Sequence, residues 1–154
     1  SLKTNYYLGG REWPYKNVPH RVIAECYMED SHYRELRDYK FFTFGGEPKV
    51  VYIAQGRGKE GETFADFFDM EFNHLDMRMR DPNSEQFPTK PVAFDEMKDL
   101  AAKLSQNIPH VRVDFYCVQN QVYFGEMTFF HSAGFFSIKP QYRADEIGNL
   151  INLR

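Results

Sequence analysis

Two carboxylates and a guanidinium fall within one short stretch, VRVDFYCVQNQVYFGEMTFFHSAG at 111–134: Arg112, Asp114 and Glu126. Side chains alternate along a strand. On a strand over 111–118, Arg112, Asp114, Tyr116 and Val118 therefore share one face, and Val111, Val113, Phe115 and Cys117 the other. On a second strand over 122–129, Phe124, Glu126 and Thr128 match the polar face, and Tyr123, Gly125, Met127 and Phe129 the apolar one. The polar sets coincide only if the connection holds an odd number of residues, which predicts a three-residue turn, Gln119-Asn120-Gln121. That register sets Asp114 opposite Glu126 and Arg112 opposite Thr128, whereas an even turn would split the carboxylates between the faces. Opposite Cβ atoms stand about 4.5–5.5 Å apart, where two carboxylates repel. Either one holds a proton or a hard cation bridges them, and oxygen ligands suit magnesium, which shares its shell with waters and phosphates. Arg112 supplies a fixed cation for phosphate oxygens or an oxyanion. A solvated sheet face with Arg112 as ion-pair partner fits the same pattern, and periodicity alone does not reach magnesium.

The elements that must position these groups read as an α+β fold, a mostly antiparallel β-sheet backed by helices. Residues 21–28 (RVIAECYM) read as a short strand and 29–37 as a charged loop. The runs 38–44 and 48–55 flank Gly45-Gly46 as a hairpin. A Gly-rich connection at 56–61 leads to a strand over 63–72, and 78–91, with its prolines, reads as a long surface loop. Met97, Leu100, Ala101 and Leu104 recur at helical spacing within 94–105. A final helix is expected at about 145–151, and the Tyr-, Gly- and Pro-rich residues 1–20 as an irregular or partly helical entry.

The chain has 154 residues, enough for one domain with its own core. Its net charge of -3 is no footprint for nucleic acid or an anionic membrane. Cys26 and Cys117 sit in apolar runs and are expected as buried free thiols. No apolar run approaches the roughly 18–20 residues that span a bilayer, and no signal segment is visible, so a cytoplasmic protein without membrane insertion is expected. The chain opens on Ser1 rather than Met and is expected to be a piece of a longer protein.

The run Arg112-Val113-Asp114-Phe115, then YFGEMT at 123–128, then Ser132-Ala133-Gly134 resembles the closing segment of ATP-grasp ligases. More specifically, REWPYKN (11–17), VIAECYMED (22–30), DYKFFTFGGEPK (38–49), EMKDLAAKLS (96–105), RVDFY (112–116), YFGEMTFF (123–130) and DEIGNLINL (145–153) resemble the TupA-like ATP-grasp family over nearly the whole chain. The resemblance implies a single domain over 1–154, the C-terminal, metal- and nucleotide-binding half of an ATP-grasp fold. An N-terminal lobe carrying a strand lysine and a glycine-rich flap would lie outside this chain and be its partner.

It also implies ATP and magnesium as cofactors. Asp114, Glu126 and Thr128 would hold the metal, with Thr128 standing where the family pattern has Asn. Arg112 would stabilise the transferring phosphate or the tetrahedral intermediate. Glu25, Cys26, Tyr27 and Met28 resemble the strand that pairs with adenine, and Asp38 the acid that holds the ribose. Lys40, on the same face as Asp38, would reach the phosphates. Ser132 and Gly134 resemble the substrate-side loop, and His131 beside them reads as a packed or solvent histidine.

The implied activity is joining a carboxylate to an amine through an acyl phosphate, in bacterial cell-surface polymer synthesis, with this piece alone inactive. Two rivals are a glycosyltransferase of the same pathways, disfavoured by the lack of any Asp-x-Asp motif, and a non-catalytic degenerate module.

Overall fold

In the computed structural model, residues 6–30, 36–56 and 63–153 are described. Five antiparallel strands make one sheet: β1 Asp38–Phe44, β2 Glu47–Gln55, β3 Phe64–Phe68, β4 His110–Val118 and β5 Gln121–Thr128, in the order β3-β2-β1-β4-β5. Three α-helices accompany it, α1 Tyr6–Gly10, α2 Phe94–Leu104 and α3 Gln141–Gly148. The fold is α+β, as the sequence predicts.

The central strand, β1, is buried along its whole length because both of its faces are covered. On one face Tyr39 and Phe41 join Val113 and Phe115 of β4 beneath α2, which contributes Phe94, Met97 and Ala101, all fully buried. Each such large apolar side chain contributes about 1.5–3 kcal/mol on leaving water. The predicted stripe of α2 holds except at its end, where Leu104 is 41% exposed. On the other face Phe42 and Phe44 pack with Tyr52, Phe67 and Met77, closed by Ile138 and by Ile147 and Leu150 around α3. The β1–β2 hairpin turns through Gly45 and Gly46 at φ +58 and +88, backbone that a Cβ would disfavour.

Three elements differ from expectation. Residues 21–28 form no strand: their backbone pairs with none of the five strands, and an apolar run stays irregular without a ladder to join. Val22 and Ile23 are accordingly about four-fifths exposed, and Cys26 is exposed rather than buried, whereas Cys117 is buried as expected; both thiols are free. The strand at 63–72 stops at Phe68, since Asp69 accepts from the backbone N–H groups of Glu71 and Asn73 and turns the chain. The last helix begins earlier, at Gln141 directly after Pro140, and ends at Gly148. Most of the Gly-rich stretch 56–61 and of the charged loop 29–37 lies outside the described residues. No helix of the described residues is long and apolar enough to cross a membrane.

Candidate functional site

The β4–β5 hairpin turns through two residues, not three: Val118 pairs with Gln121, and Gln119 and Asn120 both adopt positive φ, 52 and 64. The odd residue that parity demands sits instead in a β-bulge. Phe115 pairs with Phe124 and Val113 with Met127, so Gly125 and Glu126 together oppose Asp114. Between turn and bulge, Tyr123 therefore faces the polar side and Phe124 the apolar side, the reverse of the predicted assignment. Beyond the bulge the predicted faces return, with Arg112 opposite Thr128. Gly125 has a steric role here: a Cβ on it would lie 3.1 Å from the Asp114 carbonyl oxygen and 3.3 Å from the Tyr116 ring.

The bulge brings both carboxylates to one guanidinium. Arg112 donates from Nε to Asp114 Oδ1 at 2.7 Å, and from Nη2 to Asp114 Oδ2 at 2.7 Å and to Glu126 Oε1 at 2.9 Å. Lys40, paired with Asp114 across β1 and β4, donates to Asp114 Oδ2 at 2.5 Å and lies 3.2 Å from Asp38 Oδ2. Asp38, Lys40, Arg112 and Asp114 are all at most 7% exposed, two anions balanced by two cations. Unpaired charges at this depth would cost several kcal/mol each, of order, which is why the four sit in mutual contact. Glu126 is the rim member, its side chain 64% exposed. Thr128 Oγ1 approaches it at 3.4 Å.

Two groups that sequence reasoning assigned no part complete the cluster. His131 accepts from Arg112 Nη1 through Nδ1. Burial, and then the positive charge of Arg112, pushes its pKa down to about 4, so near neutrality the ring is uncharged and free to accept. Tyr116, opposite Asp38, donates its hydroxyl to that carboxylate, and burial followed by the Asp38 charge raises its pKa. His131 lies in a short turn, His131–Gly134, in which Ser132 and Ala133 both take left-handed backbone, φ 53 each. Such backbone at non-glycine residues carries no simple sequence signal. Tyr116 was legible as a polar-face residue, its partner across β1 was not.

Two clefts open on the cluster. One, of about 850 Å³, lies between β5 and the entry segment, with Glu12, His20 and Arg21 on one wall and Arg112, Thr128 and Ser132 on the other. The second, of about 240 Å³, exposes Lys40, Arg80, Asp81, Arg112 and His131. Glu126 and Ser132 border both.

The predicted residues Lys40, Arg112, Asp114, Glu126 and Thr128 are thus brought together with Asp38, and Ser132 stands at their edge. Gly134 lies beyond them, on the wall of an adjoining apolar cavity. Glu25, Cys26, Tyr27 and Met28 are in the irregular segment, the first three exposed. From that segment His20, Arg21 and Val22 line the larger cleft. Among the described residues no three His, Cys, Asp or Glu side chains converge as a metal site. Asp114 and Glu126 meet only through Arg112.

A family model described as TupA-like ATPgrasp matches residues 1–152. No curated protein and no solved structure shows significant similarity to the chain.

Proposed function

Because the chain belongs to the TupA-like ATP-grasp family, we propose that this face of the sheet binds the phosphates of ATP and serves an ATP-dependent carboxylate–amine ligase. The observation that carries the reading is the buried array Lys40–Asp114–Arg112, in which Arg112 borders both clefts and Lys40 the smaller one. Cations fixed by buried carboxylates cost no reorganisation when charge develops on a transferring phosphoryl group. In such a reaction a carboxylate oxygen attacks the γ-phosphorus and ADP leaves. An amine nitrogen then attacks the acyl carbon, phosphate departs and the amine loses a proton.

Magnesium fits the donors in kind. Asp38, Asp114 and Glu126 against Lys40 and Arg112 leave one net negative charge, which disfavours a polyphosphate until a divalent cation enters. The donors are all oxygen, as a hard cation requires. Glu126, exposed and held through one oxygen, can turn toward an ion, and Asp114 and Thr128 would complete its protein ligands. Bound there, magnesium would neutralise phosphate charge. Lys40 and Arg112 hold phosphate oxygens, and Asp38 fixes Lys40 while offering the ribose contact. In this reading Glu25–Met28 meet the adenine, a second lobe bearing a flap closes over the phosphates, and turnover needs both lobes. The setting is cytoplasmic synthesis of a bacterial surface polymer.

Calorimetry with Mg-ATP on the product of the whole coding region tests the proposal. Asp114→Asn should weaken binding by about tenfold or more, equivalent to about 1.4 kcal/mol. Wild-type affinity in both Asp114→Asn and Glu126→Gln would end the ligase reading. A non-catalytic module is the second reading, favoured by Thr128 in place of Asn and by only two carboxylates at the metal position. Mg-ATP binding without turnover in the complete protein would select it.

A further inference from the structure

An apolar cavity of about 530 Å³ adjoins the charge cluster and takes no part in the chemistry above. Its walls include Phe42 and Phe44 of β1, Phe136, Ile138, Ile147 of α3 and Ile151. The volume lies within the range of about 300–1,000 Å³ typical of small-ligand sites. His131 and Phe136 belong both to this cavity and to the small cleft that exposes Lys40 and Arg112. Phe42 pairs directly with Arg112 across β1 and β4, so the apolar wall begins beside the guanidinium. Phe44, two residues along β1, extends it by about 7 Å.

The donors of Arg112 give a direction. Of about five guanidinium N–H groups, Nε and Nη2 are taken by Asp114 and Glu126, and one on Nη1 by His131. The remaining N–H is on Nη1, the nitrogen that touches His131, which is itself a cavity wall. An anion accepting from it would stand in the small cleft that Arg112 borders, next to His131 and Phe136, the walls that cleft shares with the cavity.

We propose that the cavity is the acyl pocket of the substrate: the ligand is an amphipathic carboxylate whose head meets Arg112 Nη1 and whose aliphatic or aromatic body lies among Phe42, Phe44 and Ile138. The binding claim stands on the cavity and the guanidinium; only the assignment of that carboxylate as the group to be activated rests on the ligase reading.

The test is calorimetric titration of the chain with straight-chain carboxylates from butanoate to octanoate, and with octanamide. Affinity should rise by about fourfold per added methylene, the equivalent of about 0.8 kcal/mol, until the cavity is filled, and octanamide should bind at least about tenfold more weakly than octanoate. Ile138→Glu, which sets a charge on the wall, should abolish the chain-length dependence. Ile151→Trp, at a position 42% exposed and so tolerant of change, should shorten the longest chain accepted. Circular dichroism checks that both variants fold. A flat series, an amide that binds as well as the acid, or unchanged profiles in both folded variants would overturn the proposal. So would sedimentation showing a dimer that Ile151→Trp dissociates, since a second copy would then occupy the cavity. Mg-ATP binding, measured separately, keeps the two ideas apart: its loss with octanoate binding intact sinks the ligase reading and leaves the pocket, and the converse sinks the pocket alone.

Discussion

Asp114 is 2% exposed and satisfied by two cations, so its environment depends on both. Removing one partner leaves a buried carboxylate undercompensated, which typically costs about 3–5 kcal/mol. Arg112→Met should lower the stability measured by urea unfolding by about that amount, and Lys40→Met similarly. If Arg112→Met costs under about 1 kcal/mol, typical of an exposed pair, the array is not the buried network described. His131 adds a pH dependence. Its folded pKa, about 4, lies below the ordinary 6.5. Between those values the unfolded chain binds a proton that the folded chain does not, so stability falls as pH falls through that window. In urea midpoints compared at about pH 7 and about pH 5, wild type should lose more than His131→Gln. His110, lowered by burial, keeps its share of the slope in both proteins. Equal slopes would mean that the folded ring is protonated as readily as a free one. Strand parity alone gathered Arg112, Asp114 and Glu126, but it could not reach His131, whose placement depends on left-handed backbone at Ser132 and Ala133.

At the scale of elements, the hairpin shows why parity holds although the turn has two residues rather than three. The face of a strand is fixed by the count of residues between two points, and a bulge adds one as effectively as a longer turn. The predicted three-residue loop and the observed two-residue loop plus bulge place Glu126 and Thr128 alike and differ only between turn and bulge, from Gln121 to Gly125. The turn itself gives a test. Gln119 and Asn120 hold positive φ, which costs a non-glycine residue about 1–2 kcal/mol and which Asn-Gly accommodates best in a two-residue hairpin. The double variant Gln119→Asn, Asn120→Gly should therefore raise the urea midpoint, with a gain of about 1 kcal/mol. A loss of stability would favour the longer loop. The same local logic failed at 21–28, where composition suits a strand but the segment pairs with no strand of the sheet. Composition reports what a segment tolerates, and the sheet decides which segments are used.

At the scale of the molecule, the order of chemistry along β1 sets out an axis. Asp38 and Lys40 lie toward one end of the strand, Phe42 beside Arg112, and Phe44 at the apolar end. A nucleotide laid on this face would put ribose and phosphates at the first pair and leave the acyl group for the last. Hydrogen exchange reads such an arrangement directly, because protection reports local opening. Amides in β1 and β4 are already laddered on both sides and should change little with Mg-ATP. The responsive amides should be those around the clefts: 79–81 and 131–136 beside Lys40 and Arg112, and 20–28 in the entry segment. Protection at 25–28 would support the adenine contact of Glu25–Met28 despite their exposure in the free chain, since an exposed irregular segment has most to gain from a ligand. Protection confined to 20–22 would give that segment to the larger cleft instead and leave adenine to be sought elsewhere. If 79–81 and 131–136 exchange at the same rate with and without Mg-ATP, the phosphates do not lie between Lys40 and Arg112, and the charge array has only a structural role.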